Sequence, residues 1–247
     1  MGKYIAYFDY LGYQKFIENC EPARLRERIG HLLRDIEVAM GDGQYSLSPR
    51  GHLIADISTS RINCLAISDT VIFSTQDDSI ESLREILKVA KKFNFQSIFF
   101  NMPVRGVIVY DQYEMISSQT KNPQGSVYSA NMIYGKGLVY AHVKAESLNW
   151  AGTVVDDSVI NKIGEFGDVD ESLRPYAKIY PIPYKVEPYI RNEYALRLLE
   201  DNQSEASIKN MSNNVVDSFS RDNKPTDNER VQTLTNNTLE FLRSHLE

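Results

Sequence analysis

The stretch Tyr4-Ile5-Ala6-Tyr7-Phe8-Asp9-Tyr10-Leu11-Gly12-Tyr13 decides how the rest of the chain is read. Lys3 to Asp9 is dense in aromatic and β-branched side chains, which pack well on a pleated surface, and it is short enough for a buried central strand. The acid that ends this run is out of keeping with its neighbours, because an unpaired carboxylate among apolar strand residues is costly. Gly12 permits a tight turn, and Tyr13-Gln14-Lys15-Phe16-Ile17-Glu18 resumes with helical spacing. A strand therefore feeds a helix, with Asp9 at the junction.

Working outward, Pro22 starts a long amphipathic helix whose apolar face is Leu25, Ile29, Leu32, Leu33, Ile36 and Met40, and Gly41-Asp42-Gly43 stops it. Residues 44–52 read as loop. Leu53–Ile57 and Arg61–Ile67 read as strands, and Ser68-Asp69-Thr70 turns the second of these into Val71-Ile72-Phe73-Ser74 as a hairpin. Ser79 caps a second amphipathic helix carrying Ile80, Leu83, Ile86, Leu87 and Ala90. Val104–Tyr110 is a further strand, 111–128 is polar and irregular, Tyr134–Leu148 is helical, and Gly152–Asp156 returns as a strand.

That order predicts an α+β fold, a mostly antiparallel sheet covered by helices. A doubly wound parallel sheet would need regular alternation and a glycine-rich loop after the first strand, and the sequence has neither. The chain is expected to divide into a main domain over 1–160 and an extension over 161–247 packed on it. In that extension Pro175, Pro181, Pro183 and Pro188 punctuate an extended stretch. The Asn-, Ser- and Asp-rich segment 201–227 is expected to be mobile, and a last helix presents Val231, Leu234, Leu239 and Leu242.

Composition narrows the function. With 27 Lys+Arg against 33 Asp+Glu in 247 residues, the net charge of −6 opposes a nucleic-acid coat, which needs a basic face. Hydrophobic residues at 42% against 24% charged exclude a disordered chain. No apolar run approaches the ~20 residues that span a bilayer, and no basic leader precedes one, so a cytoplasmic protein with no membrane partner is expected. Cys20 and Cys64 read as reduced thiols, and His31, His52 and His245 lack zinc spacing.

Two carboxylates remain. Asp9 ends the first strand, and Asp69 occupies the hairpin turn within Ala66-Ile67-Ser68-Asp69-Thr70-Val71. Either alone reads as a helix cap or a turn former. On neighbouring strands they would converge at one end of the sheet, as oxygen ligands suited to Mg²⁺ or Mn²⁺.

These residues resemble a family. Phe8-Asp9-Tyr10-Leu11-Gly12-Tyr13 resembles the metal-binding strand of class III nucleotide cyclases, a Phe-x-Asp-Ile-x-Gly-Phe pattern, and Ile67-Ser68-Asp69-Thr70 resembles their second metal motif. Met102-Pro103-Val104-Arg105-Gly106-Val107-Ile108 is similar to the strand that follows, and Tyr134-Gly135-Lys136-Gly137-Leu138-Val139-Tyr140-Ala141 to the start of the catalytic helix. The match covers residues 3 to 156. The Asn and Arg that the family carries on that helix align with Val139 and Val143, leaving Tyr140, His142 or Lys144 as stand-ins. Leu65 stands where purine-specific members have Lys. This divergent form, with Ala145-Glu146-Ser147-Leu148-Asn149-Trp150-Ala151-Gly152 following, is similar to the bacterial pyrimidine cyclases of the Pycsar antiphage system.

The resemblance implies a class III cyclase-like fold on a ferredoxin-like βαββαβ core, with 1–160 as the catalytic domain and 161–247 as a C-terminal extension. It implies a homodimer that makes cyclic UMP from UTP, or cyclic CMP from CTP, with two Mn²⁺ or Mg²⁺ ions, and a separate effector that responds to the product. Asp9 and Asp69 would be catalytic and hold the metals with the Tyr10 carbonyl. Phe8, Tyr10, Leu11, Gly12 and Tyr13 would lie along the nucleotide, with the loop amides on its phosphates. Arg105 is a candidate for phosphate or base contact, Lys136 for phosphate contact, and Asn63 for the pyrimidine edge. The alternatives are a catalytically silent nucleotide-binding module and a purine cyclase.

Overall fold

Strand β1 (Gly2–Tyr10) lies at the heart of a seven-stranded sheet, and its side chains alternate between two cores. The computed structural model describes residues 2–246. Tyr4, Ala6 and Phe8 face helices α2 (Pro22–Met40) and α3 (Ile80–Phe100), where Phe8 packs edge-on to Phe73 and Phe93. Ile5 and Tyr7 face the other way, onto Ala141 and Ala145 of α4 (Lys136–Ser147). This is the two-residue period of a strand covered on both sides, and it puts Asp9 on the α4 face.

The sheet runs β10 (Ala177–Pro183), β11 (Ile190–Leu196), β9 (Thr153–Val155), β6 (Val104–Gln112), β1, β5 (Thr70–Ser74), β4 (Asn63–Ile67). All neighbours are antiparallel except β6 and β9. β1, the β4–β5 hairpin and β6, linked through α1 (Tyr13–Asn19), α2 and α3, form the expected ferredoxin-like βαββαβ core. The mostly antiparallel, helix-covered α+β architecture is as the sequence predicts. Ser79 caps α3 by accepting the Ser82 N–H at 3.2 Å.

Three local readings are corrected. The loop expected at 44–52 contains β2 (Tyr45–Leu47), which pairs with β3 (Leu53–Ala55) in a separate hairpin. The irregular segment 111–128 holds β7 (Glu114–Lys121), paired along its length with β8 (Val127–Tyr134). Its residues are largely exposed, so no apolar alternation marks it in the sequence. The helix expected from Tyr134 begins at Lys136, because Gly135 adopts φ +143°.

The boundary expected at residue 160 falls within α5 (Asp157–Gly164), which is followed by α6 (Val169–Leu173). β10 and β11 then extend the central sheet, and one apolar cluster runs from Phe93 through Trp150 to Phe241 and Leu242. Segment 201–227 contains α7 (Glu205–Ser220), capped by Ser204 and burying Ile208, Val215 and Phe219. The last helix, α8 (Glu229–Arg243), packs on α7. Among the described residues no helix is long and apolar enough to cross a membrane.

Candidate active site

The end of β1 meets the β4–β5 turn. Asp9 lies opposite Thr70 on β5 and Arg105 on β6, and the Tyr10 N–H donates to the Asp69 carbonyl at 2.8 Å. The loop is only Ser68 and Asp69, with Ser68 left-handed at φ +55°, so the hairpin is too tight to carry Asp69 away from β1. Asp9 and Asp69 thus line the same cavity of about 470 Å³.

Arg105 is nearly buried and spent on its neighbours. Its Nε and Nη2 both donate to Asp9 Oδ2, at 3.0 and 2.7 Å, and Nη2 also pairs with the carboxylate of Glu146 on α4. It is therefore not the uncommitted phosphate ligand that the sequence suggests. Burial pushes the Asp9 carboxyl above its usual range; the Arg105 charge opposes this and the Asp69 charge adds to it. Burial likewise pulls the Arg105 guanidinium down, against the pull of Asp9.

The other expected contacts separate into two groups. Tyr10, Leu11, Gly12 and Tyr13 line the cavity. The Leu11 N–H, however, already donates to the Pro103 carbonyl at 2.8 Å, so it is committed to the fold rather than to a phosphate. Gly12, at φ +80°, turns the chain into α1 where a Cβ would press on Lys224 Cδ at 3.0 Å. Phe8 is fully buried on the opposite face from Asp9. Asn63 pairs with Ser74, level with Ile5, about 13 Å along the strands from Asp9. Lys136 is exposed at the far end of α4 from Glu146, about 15 Å away along the helix.

Among the stand-ins on α4, Tyr140 and Lys144 both bond to Asp156, and Lys144 also to Glu193. His142 Nδ1 is 2.9 Å from the Tyr7 hydroxyl, which approaches Thr70 Oγ1 at 3.4 Å. His142 is thus the stand-in nearest the two aspartates. Val139 and Val143 point to solvent.

Sequence reasoning missed the remaining walls. Lys224 and Arg230, from α8 and the turn before it, line the cavity opposite Gly12. Lys185, after β10, donates from Nζ to the carbonyl of Glu146, a lining residue. Burial pushes the Lys185 ammonium down to about 8, helped by the charges of Arg105 and Arg230. No local motif marks these positions, which lie far along the chain from Asp9.

Among the described residues no group of three or more His, Cys, Asp or Glu is arranged to hold a metal. The donor set nonetheless fits a divalent ion taken up with phosphates. Both Arg105 bonds to Asp9 fall on Oδ2, and among the described residues neither Asp9 Oδ1 nor the Asp69 carboxylate has a hydrogen-bond partner. Mg²⁺ is typically held in this way, by one or two carboxylates completed by substrate oxygens.

No protein-family model matches the chain, and no curated protein matches it in sequence. Among solved structures it is similar to the guanylate cyclase domain of RhGC from Catenaria anguillulae in complex with GTP, at 6% identity and a TM-score of 0.45 over 78% of this chain and 95% of that one. It is similar to the non-canonical dimeric guanylyl cyclase domain of the RhoGC fusion protein from Blastocladiella emersonii, at 8% identity and a TM-score of 0.48 over 79% and 93%. It is also similar to a class III adenylyl cyclase-like ATP-binding protein from Pseudomonas aeruginosa, at 11% identity and a TM-score of 0.35 over 70% and 40%.

Proposed function

We propose that the chain is a nucleotide cyclase that converts UTP, or CTP, to the 3′,5′-cyclic monophosphate and diphosphate. The observation that carries this reading is the meeting of Asp9, at the end of β1, and Asp69, in the β4–β5 turn, at a cavity where the Asp69 carboxylate has no hydrogen-bond partner among the described residues. In the reaction the ribose 3′-oxygen bonds to the α-phosphorus and the α–β phosphoanhydride bond breaks. Its electron pair leaves on diphosphate, and the hydroxyl proton passes to solvent. Two Mn²⁺ or Mg²⁺ ions, held by Asp9, the Tyr10 carbonyl and Asp69, supply charge neutralisation and activation of the hydroxyl when bound.

The chain's own residues orient the reaction. Arg105 fixes the Asp9 carboxylate by two bonds to one oxygen, which leaves the other oxygen for the cavity. Gly12 brings backbone close to the ligand space. Leu65, at the position of the purine-reading Lys, supports a pyrimidine substrate. Exposed Ile116 and Met132, paired across β7–β8, and Val139 and Val143 on α4 support a homodimer that covers them. In this reading the product is a second messenger for a separate effector in bacterial antiphage defence, and the enzyme works in the cytoplasm.

A second reading, a silent nucleotide-binding module, draws on the Arg105 guanidinium that occupies Asp9 and on the valines at 139 and 143. Incubating the pure protein with each of the four nucleoside triphosphates and Mn²⁺, then identifying products by mass spectrometry, separates them. Cyclic UMP or cyclic CMP is expected. Cyclic purines alone would overturn the pyrimidine assignment, and metal-dependent binding without any cyclic product would favour the silent module.

A further inference from the structure

The wall of the cavity that faces Asp9 and Asp69 comes from the other end of the chain. Lys224 and Arg230 line it, and Lys185 bonds to the carbonyl of Glu146, which also lines it. Lys15 and Arg105 also line the space, but Lys15 is paired with Glu18 and Arg105 with Asp9 and Glu146. Arg105 is neutralised by Asp9 and Glu146, whereas Arg230 is exposed and makes no ion pair among the described residues.

The segment that presents these cations is fixed firmly. The Asp222 carboxylate is fully buried and accepts from Arg28 Nε at 2.9 Å and Arg24 Nη2 at 3.2 Å. Arg28 also donates to Asn101 Oδ1 at 2.8 Å. Asn19 and Asn223 exchange side chain-to-backbone bonds at 2.8 and 3.3 Å, and Cys20 Sγ donates to the Asp222 carbonyl. The clamp holds Asp222 and Asn223 both left-handed, at φ +64° and +57°, a conformation that Asp and Asn adopt more readily than other non-glycine residues. Its result is to seat the Lys224 stem against Gly12, where Nζ donates to the Ser218 carbonyl at 2.7 Å, and to start α8 at the cavity with Arg230 in its first turn. Lys224 thereby closes the wall, Arg230 carries a guanidinium with no ion pair among the described residues, and Lys185 carries an ammonium bonded to the Glu146 carbonyl but to no carboxylate.

We propose that Arg230 and Lys185 bind the outer phosphates of the substrate's triphosphate, so that the C-terminal segment is a wall of the active site and not a covering appendage. This rests on the cyclase reading and extends it: the cations that the sequence pattern lacks on α4 are supplied from beyond residue 180. A strong anion of closely spaced phosphates matches this wall, because fork-shaped and ammonium donors face it from two directions.

The test is calorimetric titration of the full-length protein with inorganic tripolyphosphate in Mg²⁺, alongside KM for the cyclised nucleotide. Arg230→Gln and Lys185→Gln are each expected to weaken tripolyphosphate binding about tenfold, Arg230→Lys to keep most of it, and Lys92→Gln, on the remote face of α3, to change nothing. The outcome that overturns the proposal is tripolyphosphate affinity in the Arg230→Gln/Lys185→Gln double variant within twofold of wild type, or no binding by wild type. Circular dichroism checks that each variant is folded. If wild type cyclises no nucleotide while the variants still lose tripolyphosphate, the wall stands and the cyclase reading fails. If cyclisation proceeds with KM unmoved in both variants, the reverse holds.

Discussion

Two clusters in this molecule each place one buried cation between two carboxylates, and they behave oppositely. Lys144 lies between Asp156 and Glu193, and Arg105 lies between Asp9 and Glu146. In the first, every partner is answered: Asp156 also accepts from Tyr140 and the Ser158 N–H, and Glu193 from Tyr184. Burial alone would raise the Asp156 carboxyl and depress Lys144, yet their mutual bonds outweigh it, so Asp156 is lowered and Lys144 raised. At Asp9 and Arg105 burial wins, and both groups shift toward their neutral forms. Burial is the larger cause at both; at Asp9 the charge of Asp69, which has no ion-pair partner among the described residues, adds to the rise, and at Arg105 the charge of Arg230 adds to the fall. A saturated cluster holds a fold together; one that carries surplus negative charge at a cavity is prepared for a ligand that brings positive charge.

The sharpest way to break this contrast is to remove the surplus. Asp69→Ala is expected to lower the proposed cyclisation by about 10³-fold while the melting temperature stays within experimental scatter, measured by product assay and thermal melt. A destabilised variant with activity intact would reverse the assignment. Lys144→Met is expected to do the opposite. It strands Asp156 and Glu193 without their cation and should cost about 3–5 kcal/mol in urea unfolding.

A third buried carboxylate sharpens the comparison further. Asp35 has the Asn101 amide as its hydrogen-bond partner, and burial lifts its carboxyl from 3.8 to about 6. Because the folded value is raised, this group's contribution to stability is intact below pH 3.8 and is lost as the pH rises through 6. Asp35→Asn should therefore gain up to about 3 kcal/mol at pH 8 and nothing at pH 3.5, read from denaturation curves at both. The smallest effect is expected at Glu146, whose side chain is 46% exposed: Glu146→Gln should shift stability by less than about 1 kcal/mol in the same assay.

What the sequence reveals of this fold follows from how local each signal is. β1, α2, the β4–β5 hairpin, α3 and β6 declare themselves because each buries a face, and burial imposes a period of 2 or 3.6 on apolar residues. β7 and β8 bury too little to leave such a trace. In α7, Ile208, Met211, Val215 and Phe219 do follow helical spacing, but the intervening Asn, Ser and Asp outweigh them in composition. Asp9 and Asp69 are conspicuous as acids in apolar surroundings. The partner of Arg105 is not legible, since only the register of β1 on β6 sets it opposite Asp9. Glu146, Lys185 and Arg230 reach the cavity through tertiary packing alone, which no window of sequence encodes.

The outermost strand on one side, β10, contains Pro181 and Pro183, two positions apart. Proline has no amide hydrogen to give, so an incoming strand would find successive gaps where a continuous ladder is needed. Polymerisation by sheet-to-sheet addition is thereby closed off along this border. The protein is left able to associate through side-chain surfaces while being guarded against growth into fibrils from β10.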